Sequence, residues 1–466
     1  MGRLPRGEQT SFDYSRAVFF TVLAGAVVAG SFALGLHAGS QRTALYRGVT
    51  AAAQAIRSSL SVTAREATTL LGTHPSHFAQ ISRHPGAGVT INDPAADQRQ
   101  FVLLAGFFMD TNELRLIRRS GEIVARWPVA YYEIFPDPDY FPEGFAPATD
   151  WNIDLHGALA LPDGSVVFNF EWGGLARLDR CGRVVWTVRR PTHHSVELAE
   201  QGGFWVPSRR FIEHRSPHPP FEPPYHEDTI LRVSDTGAVL AEHSVVQPFY
   251  TNGLEAVLTA TGRPFVEGMD WPREIVHLNK VEELTTALAP DFPLFEAGDL
   301  ALSYRDQNLV MVVDAEVSRV KWWKTGPWLR QHDPEFRQGG TLVVFNNNLY
   351  PTAFGDRHAE YKVPLSAPAV TNILGIDPRS NHSRVLYGNA DGQKLLSVIK
   401  GKVDVTSSGG LLITEAQAGR VREVSDSGAL LWEYINRLDE DEVAEIGEAR
   451  VYAPDYFTVS DWSCPS

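Results

Sequence analysis
Three stretches of the chain begin on a histidine just where a short β-like run starts: "HGALALPDGSVVFNF" at His156, "HSVELAEQGGFWVPS" at His194 (preceded by His193 in "THHSVEL") and "HDPEFRQGGTLVVFN" at His332. A fourth, "VHLNKVEEL", places His277 and Asn279 ahead of "DLALSYRDQN", an apolar strand-like run that carries Arg305. Imidazole serves at neutral pH as nucleophile, proton carrier or metal ligand. A guanidinium within an apolar strand is costly unless it holds an anion or a carboxylate. Together these residue types suit chemistry on an anion, and Arg305 in the same group would repel a metal ion, which ranks a metal centre below such a reading.

The elements that must position these residues are short runs of Val, Leu, Phe and Trp separated by Gly, Asp and Ser turns, the texture of an all-β chain from about residue 99 onward. One phrase recurs six times: "RRSGEIVARW" (118–127), "LDRCGRVVW" (178–186), "VSDTGAVLAE" (233–242), "VDAEVSRVKWW" (313–323), "IDPRSNHSRVLY" (376–387) and "VSDSGALLW" (424–432). Each is a strand end, a turn and a second strand. A second hairpin phrase precedes most of them, at 156–170, 194–208, 332–346 and 401–415. Two hairpins per repeat make a four-stranded sheet that cannot bury both faces alone, so six of them predict a closed six-bladed β-propeller over 99–466. The histidine-bearing strand starts then converge on one end of its axis. The irregular repeat spacing predicts insertions at 211–227 and 347–370 as loops over one face.

The chain of 466 residues carries 42 basic and 56 acidic residues, net −14, with no Lys/Arg patch, which argues against a nucleic-acid partner. Residues 17–36, "AVFFTVLAGAVVAGSFALGL", lack charge and follow Arg3, Arg6 and Arg16, which predicts an uncleaved N-terminal membrane anchor (1–40) with the rest outside the inner membrane, in the periplasm. Residues 42–71 read as a helical stalk that could pair two copies into a homodimer, and 72–98, dense in Gly, Pro, His and Asp, as a linker; together 41–98 separates anchor from propeller. Cys181 and Cys464 stand in different regions, and the sequence leaves their pairing open. No Walker-type loop, dinucleotide fingerprint or CxxC pair is present, so nothing calls for a cofactor.

"TGPWLRQHDPEFRQGGTLVVFNNN", with "VHLNKVEEL", "DLALSYRDQN" and "GLLITEAQAGRVREVSDSGALLWEY", resembles the bacterial arylsulfotransferase family over about residues 150–435. The resemblance implies a six-bladed propeller that moves a sulfuryl group from an aryl sulfate donor to a phenolic acceptor through a sulfated histidine, without a nucleotide donor. It implies that His332 is the nucleophile, His277 and Asn279 the family's His-x-Asn pair, Arg305 the sulfate-holding arginine and His194 the remaining active-site histidine, with His193 the competing assignment. Lys280 stands where the family commonly has an acid; it could add positive charge near the sulfate or point outward. Gln331 and Asp333 beside His332 are left without a role. The competing reading is a tethered, non-catalytic propeller that binds a small anion or a protein at its channel mouth.

Overall fold
Alternation builds the blades. In strand 300–304 Leu300, Leu302 and Tyr304 face one neighbouring blade while Ala301 faces the other, and in 309–313 Leu309, Met311 and Val313 divide in the same way from Val310 and Val312. Every residue of both strands is buried, so a period of two serves two interfaces at once. In this computed structural model the described residues are 78–464 apart from 142–145, 148, 151–152, 219–220, 261–272 and 349–370, with scattered helical positions between Val22 and Gly35.

Six antiparallel blades result. Named from the axis outward, blade 1 holds strands 446–452, 101–108, 111–118 and 123–128; blade 2 holds 155–160, 166–170, 174–178 and 184–188. Blade 3 holds 197–198, 204–212, 225–233 and 239–244, with 273–274 added beside 225–233; blade 4 holds 278–283, 300–304, 309–313 and 320–325. Blade 5 holds 332–337, 341–346, 372–376 and 383–387; blade 6 holds 402–405, 411–415, 420–424, 430–435 and, outermost, 88–92. The six recurring turn phrases all fall between third and fourth strands, and the hairpin phrases between first and second.

Each of the six junctions between blades has its own apolar cluster, such as Leu103, Leu114, Ala158 and Phe168 between blades 1 and 2, or Val343, Phe345, Val403 and Ile413 between blades 5 and 6. Burying one such large side chain stabilises by roughly 1.5–3 kcal/mol, and the sixth junction gains this only when the ring closes. Closure comes from the C-terminus: 446–452 pairs with 101–108 as the innermost strand of blade 1.

The segment 72–98 is more than a linker. Residues 88–92, "GVTIN", pair with 430–435 as the outer edge of blade 6, and 79–81 pair with 442–444. The surrounding Gly and Pro hide a β-branched run whose Val89 packs at the blade 6 to blade 1 junction. Of the insertion expected at 211–227, residues 211–212 and 225–227 belong to the second and third strands of blade 3, and the described parts of 213–224 connect them; 349–370 lies outside the described residues. So do half of the apolar segment 17–36 and all of the stalk; the described positions from Val22 to Gly35 are helical and exposed, and among the described residues no helix is long and apolar enough to cross a membrane.

After residue 452 the chain crosses blade 2. The Thr458 N–H donates to the Pro162 carbonyl at 2.8 Å, the Tyr456 hydroxyl to Ala160 O at 2.9 Å, and Cys464 is bonded to Cys181 with Cα atoms 5.5 Å apart. This bond staples the tail that follows the closing strand to the third-to-fourth turn of blade 2. Cross-linking so distant a pair restricts the unfolded chain, so Cys464→Ser should cost about 2–4 kcal/mol in urea unfolding, with reductant lowering the wild type to the same midpoint. An unchanged midpoint would show that the tail carries no stability.

Candidate active site
The residues at the axis are aimed by irregularities in the innermost strands. Pairing registers shift between Leu155 and Ala158, Leu278 and Lys280, His332 and Glu335, and Ile446 and Glu448. A bulge re-aims the side chains around it, and three of these four adjoin His156, Asn279 or His332. Asp333, inside the His332 bulge, and His194 both have positive φ (53° and 57°), a conformation that costs a non-glycine residue about 1–2 kcal/mol. Gly157 makes room for this: a Cβ there would lie 2.1 Å from the His194 carbonyl oxygen.

Five buried imidazoles meet as a result. The His194 ring lies 4.0 Å from His156, 5.0 Å from both His193 and His277, and 6.1 Å from His332, centroid to centroid. His194 is therefore central, and His193 stands behind it. His156, at a strand start like the others, belongs to the same cluster.

Hydrogen bonds set the tautomers. His332 Nδ1 lies 2.7 Å from Asn347 Oδ1 and 3.2 Å from the Arg330 carbonyl, both acceptors, so Nδ1 carries the proton and Nε2 keeps its lone pair. Asn347 cannot turn over, because its Nδ2 donates to the carbonyls of Ser397 (2.9 Å) and Lys400 (2.8 Å). His193 Nε2 faces the Ser208 carbonyl at 3.3 Å and so is the donor there; its Nδ1 then accepts from His194 Nδ1, 2.7 Å away, leaving the lone pair of His194 on Nε2. His277 Nδ1 pairs with Glu274 Oε1 at 3.1 Å.

Burial is the leading cause that holds His332, His194, His193 and His156 well below the usual imidazole range, and it lowers His277 as well. The Arg305 charge is the second cause for His332 and His277. The site thus holds neutral imidazoles beside a fixed cation.

Arg305 lies in the turn after strand 300–304 rather than within it. Its backbone N–H donates to the His277 carbonyl at 2.9 Å, and its guanidinium approaches Asp306 (3.3 Å) and Glu274 (3.8 Å). Lys280, read as a cation that could stand near the sulfate or point outward, is instead enclosed. Its Nζ lies 2.6 Å from Glu197 and Glu335, 3.3 Å from Asp333 and 3.6 Å from Glu282, and its side chain is 2% exposed. Beside it Arg450 pairs with Glu197 and Lys402 with Glu448, so charged groups of the inner strands neutralise one another at the axis. Asn279 donates from Nδ2 to the Gln331 carbonyl at 2.9 Å, which ties blade 4 to the strand bearing His332.

Gln331 and Asp333 acquire roles. The Gln331 amide donates to Ser303 Oγ, Tyr304 O and Leu309 O, and Asp333 Oδ2 accepts the Val403 N–H at 2.8 Å, so the two residues flanking His332 bind it to blades 4 and 6. Asn347 and Glu274 were not singled out in the sequence, although "FNNN", three amides ending a buried strand, is a signal for the first. A cavity of about 600 Å³ opens beside the cluster, with Trp172 in its wall at 6.3 Å from the His193 ring and 6.5 Å from the His277 ring. Among the described residues no group of three or more His, Cys, Asp or Glu is arranged to hold a metal ion.

Selective NMR of labelled histidines reads the electrostatics directly. None of the five should titrate with a midpoint at or above about 6.5, the unperturbed imidazole value, because burial favours the neutral form. A midpoint at 6.5 for His332 would contradict the buried, uncharged site.

Three comparisons bear on kinship. Among solved structures, similar chains include a protein of unknown function from Bacteroides caccae (15% identity, covering 75% of this chain and 97% of that one, TM-score 0.44) and virginiamycin B lyase from Staphylococcus aureus (11%, 77% and 88%, 0.38). BamB from Moraxella catarrhalis is also similar (11%, 76% and 74%, 0.30), and at such scores none of the three bears on function. No curated protein matches. Residues 157–437, more than half of the chain and all five clustered histidines but His156, match the arylsulfotransferase (ASST) family, to which this protein belongs.

Proposed function
We propose that this protein transfers a sulfuryl group from an aryl sulfate to a phenolic acceptor through a sulfated His332, with no nucleotide donor. The observation that carries this reading is the His332 imidazole itself, buried, neutral, with its proton committed to Asn347 and its Nε2 lone pair unprotonated beside Arg305. A sulfuryl group in transfer spreads charge over its equatorial oxygens while the attacking and leaving atoms lie in line, as in phosphoryl transfer. Nε2 attacks sulfur, the bond from sulfur to the aryl oxygen breaks with its electron pair left on oxygen, and Arg305 neutralises the equatorial oxygens. The departing phenoxide leaves as the anion and takes its proton from solvent. In the second half the acceptor phenol gives a proton to His277 Nε2 as its oxygen attacks sulfur, and the S–N electron pair returns to His332. Glu274 on Nδ1 stabilises the positive charge that His277 takes up in this second half, before it releases the proton to solvent. His194, its Nε2 likewise unprotonated, is the alternative proton carrier, and Asn279 holds the His332 strand in place through Gln331.

Location is part of the proposal. The uncharged segment 17–36 with its basic flank serves as an anchor that leaves the propeller in the periplasm, and the Cys181–Cys464 bond supports an oxidising compartment. Fractionation should find the chain with the inner membrane and open to protease from the periplasmic side; a soluble cytoplasmic chain would refute the anchor.

Two variants test the chemistry. His332→Ala should bring transfer from 4-nitrophenyl sulfate to phenol down to background with the fold retained by circular dichroism, and unchanged transfer would sink the reading. Asn347→Leu, which removes the acceptor that fixes the tautomer, should slow transfer by about 10–100-fold, the scale on which partners that orient metal-bound imidazoles act.

A further inference from the structure
Arg209 is hard to explain by folding alone. It is 6% exposed, its guanidinium carbon sits 4.0 Å from the centroid of Trp172, and its Nε and Nη1 are buried without a hydrogen-bond partner. Leaving a buried donor unsatisfied costs about 1–3 kcal/mol, more for a charged group. The neighbouring arginines of the same wall differ: Arg189 is paired with Asp139 and Arg210 with Glu227. Asp228, Glu274 and Glu171 lie near enough to favour its charge, yet none hydrogen-bonds its Nε or Nη1. Asp228, opposite it in the sheet, accepts the Leu278 N–H at 2.7 Å, Glu274 accepts from His277, and Lys400 holds Asp154 and Glu171 on the cavity wall.

Arg209 and Trp172 both line the cavity beside the imidazoles, with Tyr140 and Phe211 adding aromatic wall and exposed Arg190 a further cation. A planar guanidinium fork matches a carboxylate or a sulfonate in two hydrogen bonds, and its stack on Trp172 holds that plane in place. Trp172 also stands within one ring's width of His193 and His277. Arg209 covers one face of Trp172, and the same ring lies against His193 and His277, so Trp172 is the wall shared by the cavity and the histidine cluster.

We infer that this cavity is a subsite for a second anionic group on the aromatic acceptor, and that Arg209 selects it, so that the preferred acceptors are phenols bearing a carboxylate away from the reacting hydroxyl. The inference rests on the sulfuryl-transfer reading for its reaction but not for its binding.

The test compares 4-hydroxyphenylacetate and 4-hydroxybenzoate with their methyl esters as acceptors from 4-nitrophenyl sulfate, in the wild type, Arg209→Gln and Arg209→Lys. The wild type should show a KM at least tenfold lower for at least one acid than for its ester. Arg209→Gln should erase that preference with the ester's KM unchanged. If the Gln variant does not fold, Arg209→Lys, which keeps the charge but loses the fork, should raise KM for the acid alone. Equal KM for acid and ester in the wild type, or a preference that survives both substitutions, overturns the inference. Calorimetry of 4-hydroxyphenylacetate binding without donor separates the two claims. Binding that is lost in Arg209→Gln with no sulfuryl transfer from any donor would sink the proposed reaction and keep the subsite; transfer without acid preference would do the reverse.

Discussion
Five imidazoles and a guanidinium share one end of a buried axis, and the whole site depends on keeping those imidazoles uncharged there. Desolvation does most of that work, since a charged ring taken out of water is penalised whatever its neighbours. Arg305 adds to it by disfavouring a second positive charge nearby. The same condition that lets the cluster exist inside the fold leaves His332 with a lone pair on Nε2. Folding and reactivity impose one requirement here.

Geometry is met by a ring that closes late in the chain and by strands that are locally irregular. Strand 446–452 completes blade 1, and the disulfide holds the segment beyond it to blade 2. The bulges at the innermost strands then turn His156, Asn279 and His332 out of regular register, while below them Lys280, Lys402 and Arg450 are each matched by carboxylates. Breaking one member of such a buried network would leave an uncompensated charge, costing far more than the network contributes as a whole. The inner strands are therefore largely neutralised among themselves, while Arg305, beside Asp306, stands at the histidines and Arg209 and Arg190 line the cavity.

Much of this was legible in the sequence because hairpins are local. Six turn phrases mark the same third-to-fourth connection in all six blades, and His194, His277 and His332 could be placed at strand starts from the pattern alone. Alternation fails at a bulge, however. The register shift at Asn279 is why Lys280, which a regular count leaves free to face ligand or solvent, ends among four carboxylates. Closure by 446–452 and the edge strand 88–92 are pairings between chain ends, to which short-range patterns carry no clue. Asn347 reads as a turn residue because its partners, His332, Ser397 and Lys400, come from distant parts of the chain.

The central claim is that His332 Nε2 carries the sulfuryl group between donor and acceptor. Peptide mass spectrometry at alkaline pH, after mixing the protein with 4-nitrophenyl sulfate and no acceptor, tests it most directly. The account predicts a sulfuryl adduct on His332 that disappears when phenol is added and never forms in His332→Ala. Turnover with an unmodified His332, or an adduct on another histidine of the cluster, would contradict it.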